Sequence, residues 1–237
     1  MSSLETRKIE PTTGTTVTLG AGGDTVLVSA DQLKTNTVKD AGGNTLFTSD
    51  GAGAFSSVNS AIAGSMIFIS SQTASSSASI SFTSGIDSTY DEYVFHFVNM
   101  HPATDDVHFS FQMGSSYNTT MTTTYFITYH SEADASDLGY RAGYDQAQGT
   151  AFQSIFYAQG NENDSSTAGE LHLFAPSSTT YVKQFYSRVT GVDNSDTTTK
   201  TDFVAGYFNT TSALTQIQFK MSSGNIDAGT IYLYGIS

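Results

Sequence analysis

His96, His101 and His108, spaced by 5 and 7, are residues of a type that could form a metal centre. His96 and His108 stand in strand-like sequence, and His101 precedes Pro102, where a connecting loop is expected. A hairpin would bring some of them together. Zinc, however, takes three or four ligands backed by supporting hydrogen bonds, and no motif of fixed spacing is present. Ordinary strand histidines are the expectation.

Carboxylates offer a second chemistry. They cluster at Asp87, Asp91 and Glu92, at Asp105 and Asp106, at Glu132, Asp134 and Asp137, at Glu162 and Asp164, and at Asp193 and Asp196. Loop oxygens of this kind suit Ca²⁺, but no cluster has the spacing of the twelve-residue calcium loop, so neither metal nor cofactor is expected. Paired acids facing each other across a bond are also the machinery of glycoside hydrolysis. Solvated turns explain every pair equally well. The chain has no cysteine, no G-x-S-x-G elbow and no glycine-rich loop ending in Lys-Ser or Lys-Thr. "LGAGGDT", from Leu19, imitates a phosphate loop, but no helix follows to aim its amino end at a phosphate. No catalytic residue is expected.

Tyrosines in expected loops carry more promise. There are 13 Tyr and 16 Phe with no Trp, and Tyr90, Tyr117, Tyr140 and Tyr144 fall between strand-like runs. An exposed Tyr beside amides and charges offers an apolar plane with polar handles, which suits a sugar or protein contact surface. The candidate binding residues are Tyr117, Asn118, Tyr140, Arg141, Tyr144, Asn161 and Asn163. The bland reading has these rings capping the ends of the fold.

The elements that must position them are strands. Helical periodicity is not sustained anywhere, whereas "VHFSFQM" puts Val107, Phe109, Phe111 and Met113 on one face and His108, Ser110 and Gln112 on the other. "LTQIQFKM" repeats this with Ile217, Phe219 and Met221. "EYVFHFV" is apolar on both faces apart from His96 and reads as a central strand. Further strands are expected over 66–70, 79–83, 125–130, 151–158, 170–174, 182–189, 203–208 and 230–236, with the Ser-rich "SSQTASSSAS" as a loop. About ten or eleven short strands with turn-rich links imply an all-β protein, a β-sandwich or jelly roll.

The first sixty residues differ. The strands "TVTL", "TVLV" and "TLFTS" are short and carry few aromatics, and the Ala-Gly-Gly-Asp/Asn-Thr phrase recurs 20 residues after its first appearance. Each phrase reads as a tight turn, glycine supplying the positive φ. Residues 1–63 are expected to form an attachment or shaft segment that gains burial from identical partners, and 64–237 the sandwich.

With 22 Asp and Glu against 9 Lys and Arg, the formal charge is −13. That sign argues against nucleic acid or an anionic membrane, since both need basic residues to meet phosphate. "MSSLETRKIEP" has charges where a signal peptide needs an apolar core, and no apolar run is long enough to span a bilayer.

"ETRKIEPTTGTTVTLGAGGDTV" and "VKDAGGNTLFTSDGAG" resemble the amino-terminal segments of tailed-bacteriophage structural proteins, especially those of marine cyanophages. "SGIDSTYDEYVFHFVNMHPATDD" and "FKMSSGNIDAGTIYLYGIS" resemble the β-rich terminal domain of the same kind of virion protein. The resemblance covers most of the chain. It implies a non-enzymatic fibre, spike or decoration subunit of a virion, made in the host cytoplasm and assembled as a homotrimer. It also implies attachment to other virion proteins through the amino-terminal portion, where Arg7, Lys8 and Ile9 lie, and an outward-pointing jelly-roll-like knob. A tail fibre binding a host-surface glycan or protein is the leading expectation. A capsid decoration protein gripping the lattice, a polysaccharide-degrading enzyme with a carboxylate pair and a free carbohydrate-binding module are its rivals.

Overall fold

A computed structural model of the chain describes residues 35–58 and 65–237. The described residues contain no helix and fall into two compact units on either side of residues 59–64. Arg7, Lys8, Ile9, the first copy of the repeat, the strands "TVTL" and "TVLV" and the 63/64 boundary lie outside the described residues.

The smaller unit is an antiparallel meander of β1 (Thr37–Lys39), β2 (Thr45–Ser49) and β3 (Phe55–Val58). The second Gly-Gly phrase makes the β1–β2 turn. Gly43 has φ 83°, and the Asn44 N–H donates to Asp40 Oδ1 at 2.8 Å. Asp40 therefore accepts locally, and the Asn44 side chain and amide hold its carboxyl below the usual carboxylate range. Asp50 plays the same part in the next turn, accepting from Ala52 and Ala54. Phe47 and Phe55 pack 5.1 Å apart, yet none of this unit's side chains is buried among the described residues. Three strands without a buried face are marginal by themselves.

The larger unit is a two-layer antiparallel β-sandwich. One sheet has eight strands, in spatial order β4 (Met66–Thr73), β15 (Ile226–Ile236), β6 (Glu92–Pro102), β11 (Thr167–Phe174), β12 (Lys183–Val192), β13 (Thr198–Phe208), β8 (Met121–Ser131) and β9 (Ser136–Tyr140). The other has four, in order β10 (Gln153–Gln159), β7 (Val107–Met113), β14 (Ile217–Met221) and β5 (Ile80–Phe82). The chain passes repeatedly from one sheet to the other, so both layers are needed to close either one. Aromatic rings fill the space between them. Phe219 of β14 has Phe97 at 5.3 Å, Phe95 at 5.4 Å and Phe109 at 5.9 Å between ring centroids.

Alternation predicted the buried faces of β7 and β14, and β6 is the interior strand its two-sided apolarity implies. Several boundaries differ. β6 runs on through His101 and Pro102, so His101 is a strand residue paired with Ala228 rather than a loop residue. Ser70 to Thr73 of the Ser-rich run continue β4, and residues 121–124, expected in a loop, begin β8. Polar Ser and Thr pair well in a sheet when a partner strand supplies the ladder, which a single sequence does not display.

Four-strand coverage leaves the outer face of the large sheet open. Cross-strand register lines up Tyr232, His96, Glu170, Arg188, Phe203, Phe126 and Tyr140 in one row. In that row Glu170 meets the guanidinium of Arg188 at 3.1 Å, and next to it His172 meets Glu92 at 2.6 Å while stacking on Tyr186. Phe68, Phe126 and Tyr186 remain exposed on this face.

Candidate functional site

The outer face of the four-stranded sheet is built from the side chains that alternation turns away from the core. β7 presents His108 and Ser110, β10 presents Ser154, and β14 presents Lys220 between buried Phe219 and Met221. The connection between β9 and β10, residues 141–152, folds over this face and converts it into a groove of about 370 Å³. Tyr144, Asp145, Gln146 and Phe152 of that connection form the opposite wall. A volume of this size holds a small ligand.

Two buried glutamines hold the wall in place. Gln153 donates to the Tyr144 carbonyl at 2.8 Å and accepts from Thr123 Oγ1 at 2.8 Å. Gln112 donates to the carbonyls of Thr119, Thr150 and Ala151, each at 3.1 Å. These bonds satisfy loop carbonyls that the overlying chain would otherwise leave unpaired. Replacing Gln153 by Met is expected to cost about 1–2 kcal/mol, the penalty of orphaned buried partners. Amide hydrogen exchange of residues 141–152 should quicken more than that of β7, and uniform quickening would show that Gln153 does not tether the wall.

Behind the groove lies an aromatic stack. Tyr144 and Tyr157 are stacked at 4.7 Å, His108 meets the edge of Tyr144 at 5.3 Å, and Tyr125 closes the group at 5.7 Å from Tyr144. His108 Nδ1 accepts from the Ala158 N–H at 3.1 Å, which leaves its proton on Nε2. Burial pushes the His108 pKa down against the pull of Asp106, so the ring is neutral near pH 7.

Deeper still, Asp202 is fully buried. Its Oδ2 accepts from the Tyr125 hydroxyl at 2.5 Å and from the Tyr157 N–H at 3.0 Å, while Oδ1 has no protein partner. Burial raises the Asp202 pKa to about 6, although Lys200 and both hydrogen bonds pull it down. The Lys200 ammonium donates to the Tyr157 carbonyl and lies over the Tyr157 ring, 3.7 Å from its centroid. Burial raises the Tyr157 pKa while Arg141, beside its hydroxyl, lowers it.

The candidate residues read from sequence divide three ways. Tyr144 is in the groove wall, half-buried in the stack instead of capping an exposed loop. Tyr140 ends strand β9 instead of lying in a loop, and its hydroxyl donates to Asp145 Oδ2 at 2.5 Å. Arg141 follows it, against Tyr157. Tyr117 and Asn118 lie in the turn after β7, with Tyr117 half-buried at φ 48°. Asn161 and Asn163 follow Gln159, which pairs with Val107 at the other end of β7. The three loops therefore do not gather at one end of the sandwich, and of the candidate residues only Tyr144 lines the groove. His96, His101 and His108 are likewise apart: His96 faces Glu170, His101 faces Asp227, and His108 lies on the other sheet. Among the described residues no three His, Asp or Glu side chains come together as a set of metal ligands.

Asp145, Phe152 and Lys220 escaped the reading by sequence. Lys220 had a usable signal, as one of only 9 basic residues and on the polar side of a clean alternation. Phe152 had none, because it reads as strand. No family model matches the chain, and no curated protein or solved structure matches it.

Proposed function

We propose that the chain is a non-enzymatic structural subunit of a tailed-phage virion. In this reading it is a short trimeric fibre whose sandwich contacts a host-surface glycan through the groove under residues 141–152. The groove carries the binding half of the proposal. The rings of Tyr144 and Phe152, with Asp145, Ser154 and Lys220 around them, supply the apolar planes and polar handles that sugar rings require.

The virion half rests on the resemblance of "ETRKIEPTTGTTVTLGAGGDTV" and "FKMSSGNIDAGTIYLYGIS" to phage structural proteins. Two structural features support it. The order β4, β15, β6, β11 in one sheet and β5, β14, β7, β10 in the other supports a jelly-roll reading, with β12, β13, β8 and β9 as an enlargement. The exposed Phe68, Phe126 and Tyr186 on the open face, and the unburied meander of β1 to β3, favour burial against further copies of the chain.

Light scattering on the purified full chain should give about three times the 25.2 kDa subunit mass. The same protein should bind the surface polysaccharide of the host, and Phe152→Ala should weaken that binding about tenfold by removing one stacking plane. A monomer that binds no host surface would overturn the proposal.

A further inference from the structure

Resting on the glycan-binding reading, we infer that the groove selects an anionic saccharide, with a carboxylate or sulfate group of the sugar held by Lys220. The sandwich, residues 65–237, contains Arg141, Lys183, Arg188, Lys200 and Lys220 as its basic side chains. Four of them are engaged by the protein. Arg188 pairs with Glu170, Lys183 donates to the carbonyls of Ser178 and Tyr181, Lys200 is buried on the Tyr157 carbonyl, and Arg141 lies against the Tyr157 hydroxyl.

Lys220 differs. Its ammonium stands over the Phe152 ring, 4.2 Å from the centroid, and among the described residues it donates to no oxygen and forms no ion pair. The side chain is half-buried in the wall of the groove, and the ammonium has no carboxylate partner among the described residues. An anion completes such a site with a charge-assisted hydrogen bond. The ring under the ammonium fixes it in place, which lowers the entropy lost on binding.

No carboxylate of the groove takes the ammonium in place of that anion: Asp145 accepts from the Tyr140 hydroxyl and forms no ion pair with Lys220 among the described residues. The neutral His108 ring brings no second cation. Ser110, Ser154 and Ser222 add hydroxyls that can serve the sugar's own. Selectivity must be local, because the −13 charge of the whole chain repels anions at long range.

The test compares the full chain with Lys220→Gln and Lys220→Arg on three immobilised probes of one sugar: an oligogalacturonate, a sulfated galacto-oligosaccharide and the neutral galacto-oligosaccharide. The chain is expected to bind at least one anionic probe about tenfold or more tightly than the neutral one. Lys220→Gln should abolish that preference, bringing the anionic and neutral probes to the same affinity, Lys220→Arg should keep most of it, and matching melting curves will show that all three are folded. Whichever anionic probe binds more tightly identifies the acid group. Equal binding of all probes, a preference that survives Lys220→Gln, or binding of no probe would overturn the inference. The glycan-binding reading itself falls only if the chain also fails to bind the host's surface polysaccharide.

Discussion

Replacing Phe219 by alanine is expected to destabilise the sandwich by about 3–5 kcal/mol, the cost of a cavity left by a large ring in a core that cannot close over it. Phe219 has no exposed surface and sits where the four-stranded sheet lies on the large one, with the rings of Phe82, Phe95, Phe97, Phe109 and Phe111 around it. Strands on both sides of it are held by ladders, so neither sheet can sink into the void without shearing its own register. Whole domains are stable by about 5–15 kcal/mol, so the loss is a large share of the total. Urea denaturation monitored by tyrosine fluorescence should show the midpoint falling at a nearly unchanged slope. Phe126→Ala is the contrast, since Phe126 is 41% exposed on the open face and stacks on Phe203 at 4.8 Å. In an isolated subunit it should cost less than about 1.5 kcal/mol. Comparable losses in the two variants would mean that the core is not where the packing places it.

That contrast also marks what the sequence made legible. Period-two alternation identified the inward faces of β7 and β14 because hydrophobic burial acts on each side chain separately and leaves its trace in order. The same alternation held a signal that went unread. Lys200 and Asp202 share a face with Val204 and Phe208, which requires a lysine and an aspartate to point into the core. The strand expected from sequence begins only at Phe203 and excludes the pair. Features that depend on who pairs with whom were not legible. "SEADASDLGY" is polar and reads as a loop, yet the register of Ser136–Tyr140 against β8 makes it a strand. Tyr117 and Asn161 read alike as loop residues, and only the ladder between β10 and β7 shows that they follow opposite ends of β7. The groove joins β7, β10, β14 and the 141–152 connection, and its assembly is a property of topology, to which one linear pattern gives no access.

The buried Asp202 should make the protein more stable in mild acid than at neutral pH with respect to this group, opposite to the usual behaviour of a paired carboxylate. In the unfolded chain the carboxyl titrates near 3.8, and in the folded chain burial raises it to about 6. Between those values the native state holds a proton that the unfolded state has released, so stability falls as pH rises through the window. A shift of roughly two pKa units corresponds to ~3 kcal/mol, fully lost above pH 7 and fully recovered below pH 4. The attraction of Lys200, the pull of Arg141 and the hydrogen bonds from Tyr125 and the Tyr157 amide are already contained in that value. Asp202→Asn keeps an oxygen for both donors while removing the charge. The stability difference between the variant and the parent chain should therefore change by ~2 kcal/mol between pH 4 and pH 7, in favour of asparagine at neutral pH. His108, whose pKa burial lowers, acts in the opposite direction in both proteins and cancels in the difference. Urea titrations of the two chains at half-unit pH intervals measure this directly, and parallel stability profiles would show that Asp202 is not charged and buried together as its geometry requires.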